Sequence, residues 1–307
     1  MKYPHILAAF ASEYWAMEES KLLAIIDLLA IKAEGGMFTA EEIEARIAPQ
    51  TAAAVARREG SIAVIPLRGV ISPRAAAVQN SSTGGGTTAE GFAGLIDHAA
   101  GDDSVKAIVI DADTPGGNVL NVDEASAAVA AVRGVKPIVV QVTGSLASAG
   151  YWIGASADEV VMSPSSQAGA VGVRLVYDDI SERLAKDGVA REIISSGRYK
   201  GEGLGGPLSD ETRAYMQGRS DEYYGMFVDR VGAGRGVTAQ AVREGFGEGR
   251  MLGAGAAVKA GMADRVATMA ETLARFGAQP APSRPSGGRT RAHARETRAL
   301  ALTDFIG

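Results

Sequence analysis

Apolar residues along this chain fall into two textures. From Ile62 onward, short β-branched runs alternate with longer amphipathic stretches, whereas the residues before it follow a helical period. The runs Ile62–Leu67, Ala107–Asp111, Pro137–Val142, Glu159–Met162 and Glu192–Ile194 have the length and composition of strands. Between and after them, the spacing predicts helices over 88–100, 122–133, 146–156, 178–187, 209–231, 238–245 and 254–260. Such alternation predicts an α/β layered domain with parallel strands.

Residues 1–59 read as a helical region and linker ahead of that domain. Leu22, Leu23, Ile26, Leu29 and Ala30 share one face of a helix predicted over Glu18–Ala33. Thr39 and Glu42 form a capping box for a second helix over 40–47, and 50–59 reads as a linker or loose helix. The expected role of this region is docking, on the main domain or on a partner. The main domain is expected to span 60–276. The segment 277–307 is rich in Pro, Ser, Gly and Arg, lacks periodicity and reads as a disordered tail with an apolar end, Leu300–Ile306.

Composition narrows the chemistry. With a net charge of −5, the chain has no general attraction to nucleic acid or to an anionic membrane. The absence of cysteine excludes disulfides, thiolate zinc sites and cysteine nucleophiles together. The three histidines, His5, His98 and His293, lack the spacing of a metal site, so neither metal nor cofactor is expected. The most apolar run, Leu22–Ile31, is about half the length of a membrane-spanning helix and contains Asp27. After Lys2, the apolar stretch 6–11 is too short for a signal peptide, and the amino terminus reads as uncleaved and cytosolic.

Three segments can carry chemistry. The first, Asp111–Asn118, follows a strand and contains Pro115-Gly116-Gly117. Glycines at a strand's carboxyl end let the backbone approach a ligand and present N–H groups to a developing oxyanion, although Pro-Gly-Gly alone is equally a turn. The second contains Ser148, flanked by Ala147, Ala149 and Gly150 at a strand-to-helix step. A nucleophile there gains from the free N–H groups of a helix start, with the N–H of Ala149 adding to the oxyanion site. The bland alternative is a helix cap, a role that suits Ser145 well.

The third segment must supply a base. His5 lies in the amino-terminal region, His293 in the tail and His98 late in an amphipathic helix, so a histidine triad is not expected. Lys200, in the glycine-rich stretch 195–201 beyond the predicted strand Glu192–Ile194, is the candidate. A lysine serves as base when desolvation drives its pKa from about 10.4 towards neutrality. Lys106 and Lys136 each begin a strand and read as solvated charges.

Together these segments resemble the signal peptide peptidase A family of serine peptidases, which share the Clp-protease/crotonase fold. The resemblance covers about residues 60–265. It rests on Asp-Thr-Pro-Gly-Gly (113–117), Ser-Leu-Ala-Ser-Ala-Gly-Tyr-Trp-Ile (145–153), Gly-Ala-Val-Gly-Val (169–173), Ser-Gly-Arg-Tyr-Lys (196–200) and the motifs within 249–264. It implies a spiral of β-strands with outer helices, Ser148 as nucleophile, Lys200 as general base, and Gly116 and Gly117 in the oxyanion loop. It further implies ring-like homo-oligomers with active sites near subunit interfaces, the serine and lysine coming from adjacent subunits in some members. The chain departs from the family at Ala170, where a serine commonly helps to hold the lysine. Backbone carbonyls, or the hydroxyl of Ser165 or Ser166, would have to take over that role.

Members of phage and prophage origin are similar in Met1–Phe10, in Trp15-Ala16-Met17, and in the stretches 223–228 and 234–238. These are head maturation proteases, which implies scaffold and capsid proteins as substrates and a location in the host cytoplasm or the procapsid interior, with no membrane or nucleic-acid partner. Three other readings remain open: a cytoplasmic signal-peptide-peptidase-like protease of the host, a crotonase-type acyl-CoA enzyme sharing the glycine-pair loop, and a non-enzymatic assembly factor, which Ala170 favours.

Overall fold

The computed structural model describes residues 13–33, 57–74, 86–203 and 206–278. The strands are β1 (Trp15–Met17), β2 (Arg57–Glu59), β3 (Ile62–Arg68), β4 (Ile71–Ser72), β5 (Thr87–Thr88), β6 (Ala107–Thr114), β7 (Gly116–Asn118), β8 (Ile138–Ala147), β9 (Glu159–Met162), β10 (Gln167–Gly169), β11 (Met251–Gly253) and β12 (Arg265–Val266). The helices are α1 (Glu19–Ala33), α2 (Ala89–Gly101), α3 (Val122–Val132), α4 (Ala149–Gly154), α5 (Ser181–Lys186), α6 (Asp210–Arg235), α7 (Ala239–Gly245), α8 (Ala254–Lys259) and α9 (Met269–Ala274).

The architecture is α/β, as the alternation predicts. An eight-stranded sheet runs β11-β10-β8-β6-β3-β2, with β9 on β8 and β12 on β9, and a four-stranded sheet runs β1-β7-β4-β5. Strands β3, β6, β8 and β9 pair in parallel, and Val64, Ile110, Val140 and Val160 along them are buried. Near-continuous apolar strands of this kind belong to a parallel sheet covered on both faces.

Strand β8 changes neighbours along its length. Its first half, Val139–Val142, pairs β9, whereas Ser145–Ala147 pairs β10. That exchange carries the strand's end towards α4, whose residues are all buried. Trp152 of α4 stacks on Phe227 of α6, ring centroids 4.9 Å apart and planes 10° from parallel, which fixes the short helix against the long one. Side-chain caps set the helix starts. Thr88 opens α2, Ser209 opens α6, and Thr268 closes a capping box with Glu271 on α9.

Several expectations need correction. The run Glu192–Ile194 forms no strand: residues 185–200 are all exposed, Ile194 to 91%. A β-branched run becomes a strand only where a partner edge receives its N–H and C=O groups, and among the described residues none pairs with it. The helix predicted over 146–156 begins only at Ala149, because β8 continues through Ala147, and Ser145 is a strand residue rather than a cap. Residues 57–59, expected in a linker, form β2 antiparallel to β3. Trp15–Met17, expected in a helical region, forms a strand on β7. The helix predicted over 40–47 and the tail from 279 onward lie outside the described residues. Among the described residues, no helix is long and apolar enough to cross a membrane.

Two bidentate ion pairs tie α6 to its neighbours. Arg230 donates to both oxygens of Asp123 at 2.9 and 2.8 Å, and Arg235 to both of Asp264 at 2.9 and 2.7 Å. Burial alone would raise the Asp264 carboxyl, but the Arg235 guanidinium and the backbone N–H of Val160 outweigh it and hold the group below the ordinary carboxylate range. A carboxyl lowered on folding contributes stability above its unfolded pKa of about 3.9, and that contribution is lost as pH falls through the lower folded value. The urea midpoint of the wild type is therefore expected to drop steeply below about pH 4, and its margin over Asp264→Asn to narrow over the same range. Parallel denaturation series from pH 7 to pH 3 measure this directly.

Candidate active site

The site is assembled where β6, β7, β8 and β10 end close together. At the end of β6, Thr114 turns the chain. Its hydroxyl donates to the carbonyl of Gly69 at 2.6 Å and accepts the N–H of Gly116 at 3.1 Å. Gly116 then takes φ +92°, open to glycine at little cost, and β7 begins. Gly117 is confined between β1 and β4. A Cβ there would lie 1.8 Å from the carbonyl oxygen of Ile71, so no side chain fits.

Ser148 follows β8 in a conformation that suits glycine, φ 52° and ψ −116°. Its N–H donates to the carbonyl of Gly169 at 2.8 Å, and its own carbonyl accepts the first helical bond of α4 from Trp152 N–H at 2.9 Å. The residue is thus pinned on both sides while its backbone is strained, which costs on the order of 1–3 kcal/mol. Although it occupies the cap position of α4, its side chain makes no cap hydrogen bond. The hydroxyl instead lies 3.4 Å from the carbonyl of Gly172. The Ala149 N–H, at the helix start, lies 3.0 Å from the point a Gly116 Cβ would occupy. The start of α4, just after Ser148, therefore meets Gly116, with Gly117 next along the chain.

Ala170 neighbours this turn, since Gly169 pairs with Ala147 in the parallel β8–β10 register. It has φ +52°, and its N–H donates to the carbonyl of Arg250 at 3.0 Å. The position where the family commonly places a hydroxyl here carries a methyl group beside the serine. Of the two hydroxyls expected as substitutes, that of Ser166 donates to the carbonyl of Ser163 at 2.8 Å, and Ser165 is exposed. The nearby carboxylates are engaged within the sheet. Asp111 pairs with Arg68 at 2.6 Å, and Asp113 accepts the Ser145 N–H at 3.0 Å.

Lys200 stands apart. It lies in a turn closed by its own N–H to the carbonyl of Gly197 at 3.0 Å, at the end of the exposed stretch 185–200. Among the described residues, no hydrogen bond joins its amine to Ser148. The buried strand end expected to desolvate it is absent. His98 is exposed on α2, while His5 and His293 lie outside the described residues. No group of three or more metal-binding side chains occurs among the described residues.

The element that sequence reasoning missed is β1, which pairs with the glycine pair itself: Ala16 opposite Gly117 and Met17 opposite Gly116. Its signal was the apolar triplet Trp15-Ala16-Met17 standing just before the acidic start of a helix.

A serine at a positive-φ junction of a parallel strand and a helix, facing a glycine pair, is the layout of the nucleophile turn of α/β serine hydrolases. Comparison with known proteins agrees: residues 130–280 match the model of peptidase family S49, and the chain carries a domain of that family. It is 31% identical over 274 residues to the capsid assembly protease C of Escherichia phage lambda, covering 86% of this chain and 61% of that protein. It is 26% identical over 222 residues to a head-tail preconnector protein of Enterobacteria phage P21, covering 72% and 44%. Protease 4 of Salmonella typhi is 32% identical over 184 residues, covering 60% and 29%. The chain thus spans less than two thirds of the length of each of these relatives. Among solved structures, a membrane-bound stomatin-specific protease with a substrate peptide is similar at a TM-score of 0.42 and 20% identity, covering 69% of this chain and 77% of that one. A Clp protease variant of Listeria monocytogenes is similar at 0.41 and 13%, covering 68% and 94%.

Because Ser148 holds a glycine-like conformation, Ser148→Gly is expected to unfold at a higher urea concentration than Ser148→Ala, by about 1 kcal/mol, the released strain exceeding the added backbone entropy. Equal midpoints would show that the turn is not strained.

Proposed function

We propose that this chain is a serine endopeptidase acting through Ser148 and Lys200, and that its role is the maturation of phage heads. The observation that carries the catalytic reading is the pinned, positive-φ Ser148 beside Ala149 and the glycine pair, inside the matched peptidase region. Its hydroxyl is left out of helix capping and meets only the carbonyl of Gly172, at 3.4 Å, among the described residues.

In this reading, neutral Lys200 accepts the Ser148 proton as the oxygen attacks a peptide carbonyl. The oxyanion that forms is held by the N–H groups of Gly117 and Ala149, Gly116 making the turn that aims them. The lysine ammonium then protonates the departing amine, and water releases the acyl group by the same route. Gly116's own N–H is already given to Thr114, which leaves it a shaping rather than a donating role.

Lys200 reaches its serine, in this proposal, when subunits assemble. The stretch 185–200 exposes Val189, Ile193, Ile194 and Tyr199, apolar surface that a single chain leaves uncovered. Burial against a neighbour would both place the amine and lower its pKa. With Ala170 unable to hold it, the carbonyl of Gly172, within 3.4 Å of the Ser148 hydroxyl, is a backbone acceptor near the position the amine must take. The head-maturation role is supported by the two phage relatives, one named as a capsid assembly protease. Scaffold and capsid proteins are then the substrates.

Ser148→Ala keeps the Cβ and the fold, and should lower cleavage of the cognate scaffold protein by 10³-fold or more. Lys200→Ala should do the same. Wild-type cleavage by either variant would exclude the dyad. Mixing the two inactive variants should restore part of the activity if the pair forms across subunits, and none if it forms within one chain.

A further inference from the structure

Strand β1 lies against the glycine pair of the proposed oxyanion corner. Its backbone phase is set from both edges. On one side, Trp15 exchanges two hydrogen bonds with Arg174, N–H to carbonyl at 2.9 Å and the reverse at 3.0 Å. On the other, Glu18 donates to the carbonyl of Pro115 at 2.7 Å and Tyr14 accepts from Val119 at 3.2 Å. In an antiparallel ladder, bonded pairs alternate with non-bonded ones, so Ala16 and Gly117 form the bonded pair between those two, and the Ala16 carbonyl is directed at the Gly117 N–H. The same carbonyl oxygen lies 2.2 Å from the point a Gly116 Cβ would occupy, and the Ala149 nitrogen lies 3.0 Å from that point. A carbonyl of this chain therefore stands at the Gly117 N–H, one of the two groups that the proposed mechanism reserves for a scissile carbonyl, on the side of Gly116 that also faces Ala149.

The surroundings agree with occupation. Ser148 is only 1% exposed and Ala16 is fully buried, an inaccessible state for a nucleophile that must receive a polypeptide. Both edges of the slot are filled, by β7 and by Arg174, two residues beyond the carbonyl that touches the Ser148 hydroxyl. The side chains of β1 divide between two clusters: Trp15 and Met17 pack with Leu22, Ile25 and Ile26 of the helix that follows and with Val70 and Val176. Ala16 belongs to the main core, where its methyl group is the smallest side-chain anchor a residue other than glycine can supply.

We infer that Trp15–Met17 is an internal occupant of the substrate groove, which must withdraw before an extended peptide can add as a strand between β7 and Arg174. The occupant also indicates the class of peptide that fits: a small residue at the oxyanion position, flanked by bulky apolar side chains on the opposite face. This inference rests on Ser148 being the nucleophile.

The test uses the full chain and the absence of native cysteine. Trp15 and Asn118 are directly opposed in a non-bonded pair, with Cα atoms about 4.5 Å apart, within the span of a disulfide. In the double variant Trp15→Cys/Asn118→Cys, oxidation should lower labelling of Ser148 by a fluorophosphonate at least tenfold relative to the reduced form, reversibly. Full-length Ala16→Pro, lacking the N–H that bonds Gly117, should label faster than wild type, with circular dichroism confirming that it folds. Equal labelling in both redox forms, or no gain in Ala16→Pro, would leave the nucleophile standing and overturn the occupant, making β1 a fixed wall. Failure of the disulfide to form would overturn the strand placement. No labelling in any form, wild type included, would remove the nucleophile and this inference with it.

Discussion

The bond from the Ser148 N–H to the carbonyl of Gly169 is the constraint on which the whole site depends. It ties the end of β8 to the end of β10 at 2.8 Å, just where β8 has exchanged one neighbour for another. The chain must then leave the sheet and enter α4 within one residue, and only a glycine-like backbone conformation achieves this. Strain at Ser148 and at Ala170 follows from the same knot, since both residues flank the Gly169–Ala147 register. The packing of Trp152 on Phe227 holds the far side of α4, so the turn cannot relax by sliding the helix.

Around this rigid centre, order is distributed unevenly. Helix α6 is clamped by two bidentate contacts, Arg230 to Asp123 of α3 and Arg235 to Asp264. The stretch carrying Lys200 has few such ties; its ion pair, Arg198 to Glu211 at 3.3 Å, is exposed and adds little. The proposed nucleophile and the proposed base thus differ sharply in how firmly the chain holds them. A preformed oxyanion corner with a base that arrives by assembly would keep the reactive pair apart until many subunits are together.

How much of this was legible depended on what each residue needed from its surroundings. The central strands declared themselves through unbroken β-branched runs, because a strand buried on both faces has no polar side. The glycine pair and Ser148 were legible because small residues are required where backbones nearly touch: a Cβ on Gly150 would meet Thr114 Cγ2 at 2.3 Å. The run Glu192–Ile194 misled because composition records what a segment would do beside a partner, not whether the partner is there. Strand β1 was hidden for a related reason. Three residues are too few to show a period of two, and their pairing with Gly116–Asn118 spans about a hundred positions of sequence. The proposed pairing of Lys200 with Ser148 rests on a motif alone, and the single chain does not bring the two side chains together.

The double confinement of Gly117 has an energetic consequence. A buried N–H without a partner costs roughly 1–3 kcal/mol, so a corner built to receive a carbonyl is expensive to leave empty. The carbonyl of Ala16 removes that cost, and β4 on the other side prevents the strand from shifting to find another acceptor. An incoming strand would therefore exchange one amide carbonyl for another of equal strength. Its main-chain hydrogen bonds would be nearly neutral in free energy, and discrimination among peptides would fall almost wholly to side-chain fit and to the number of residues engaged beyond the exchanged triplet.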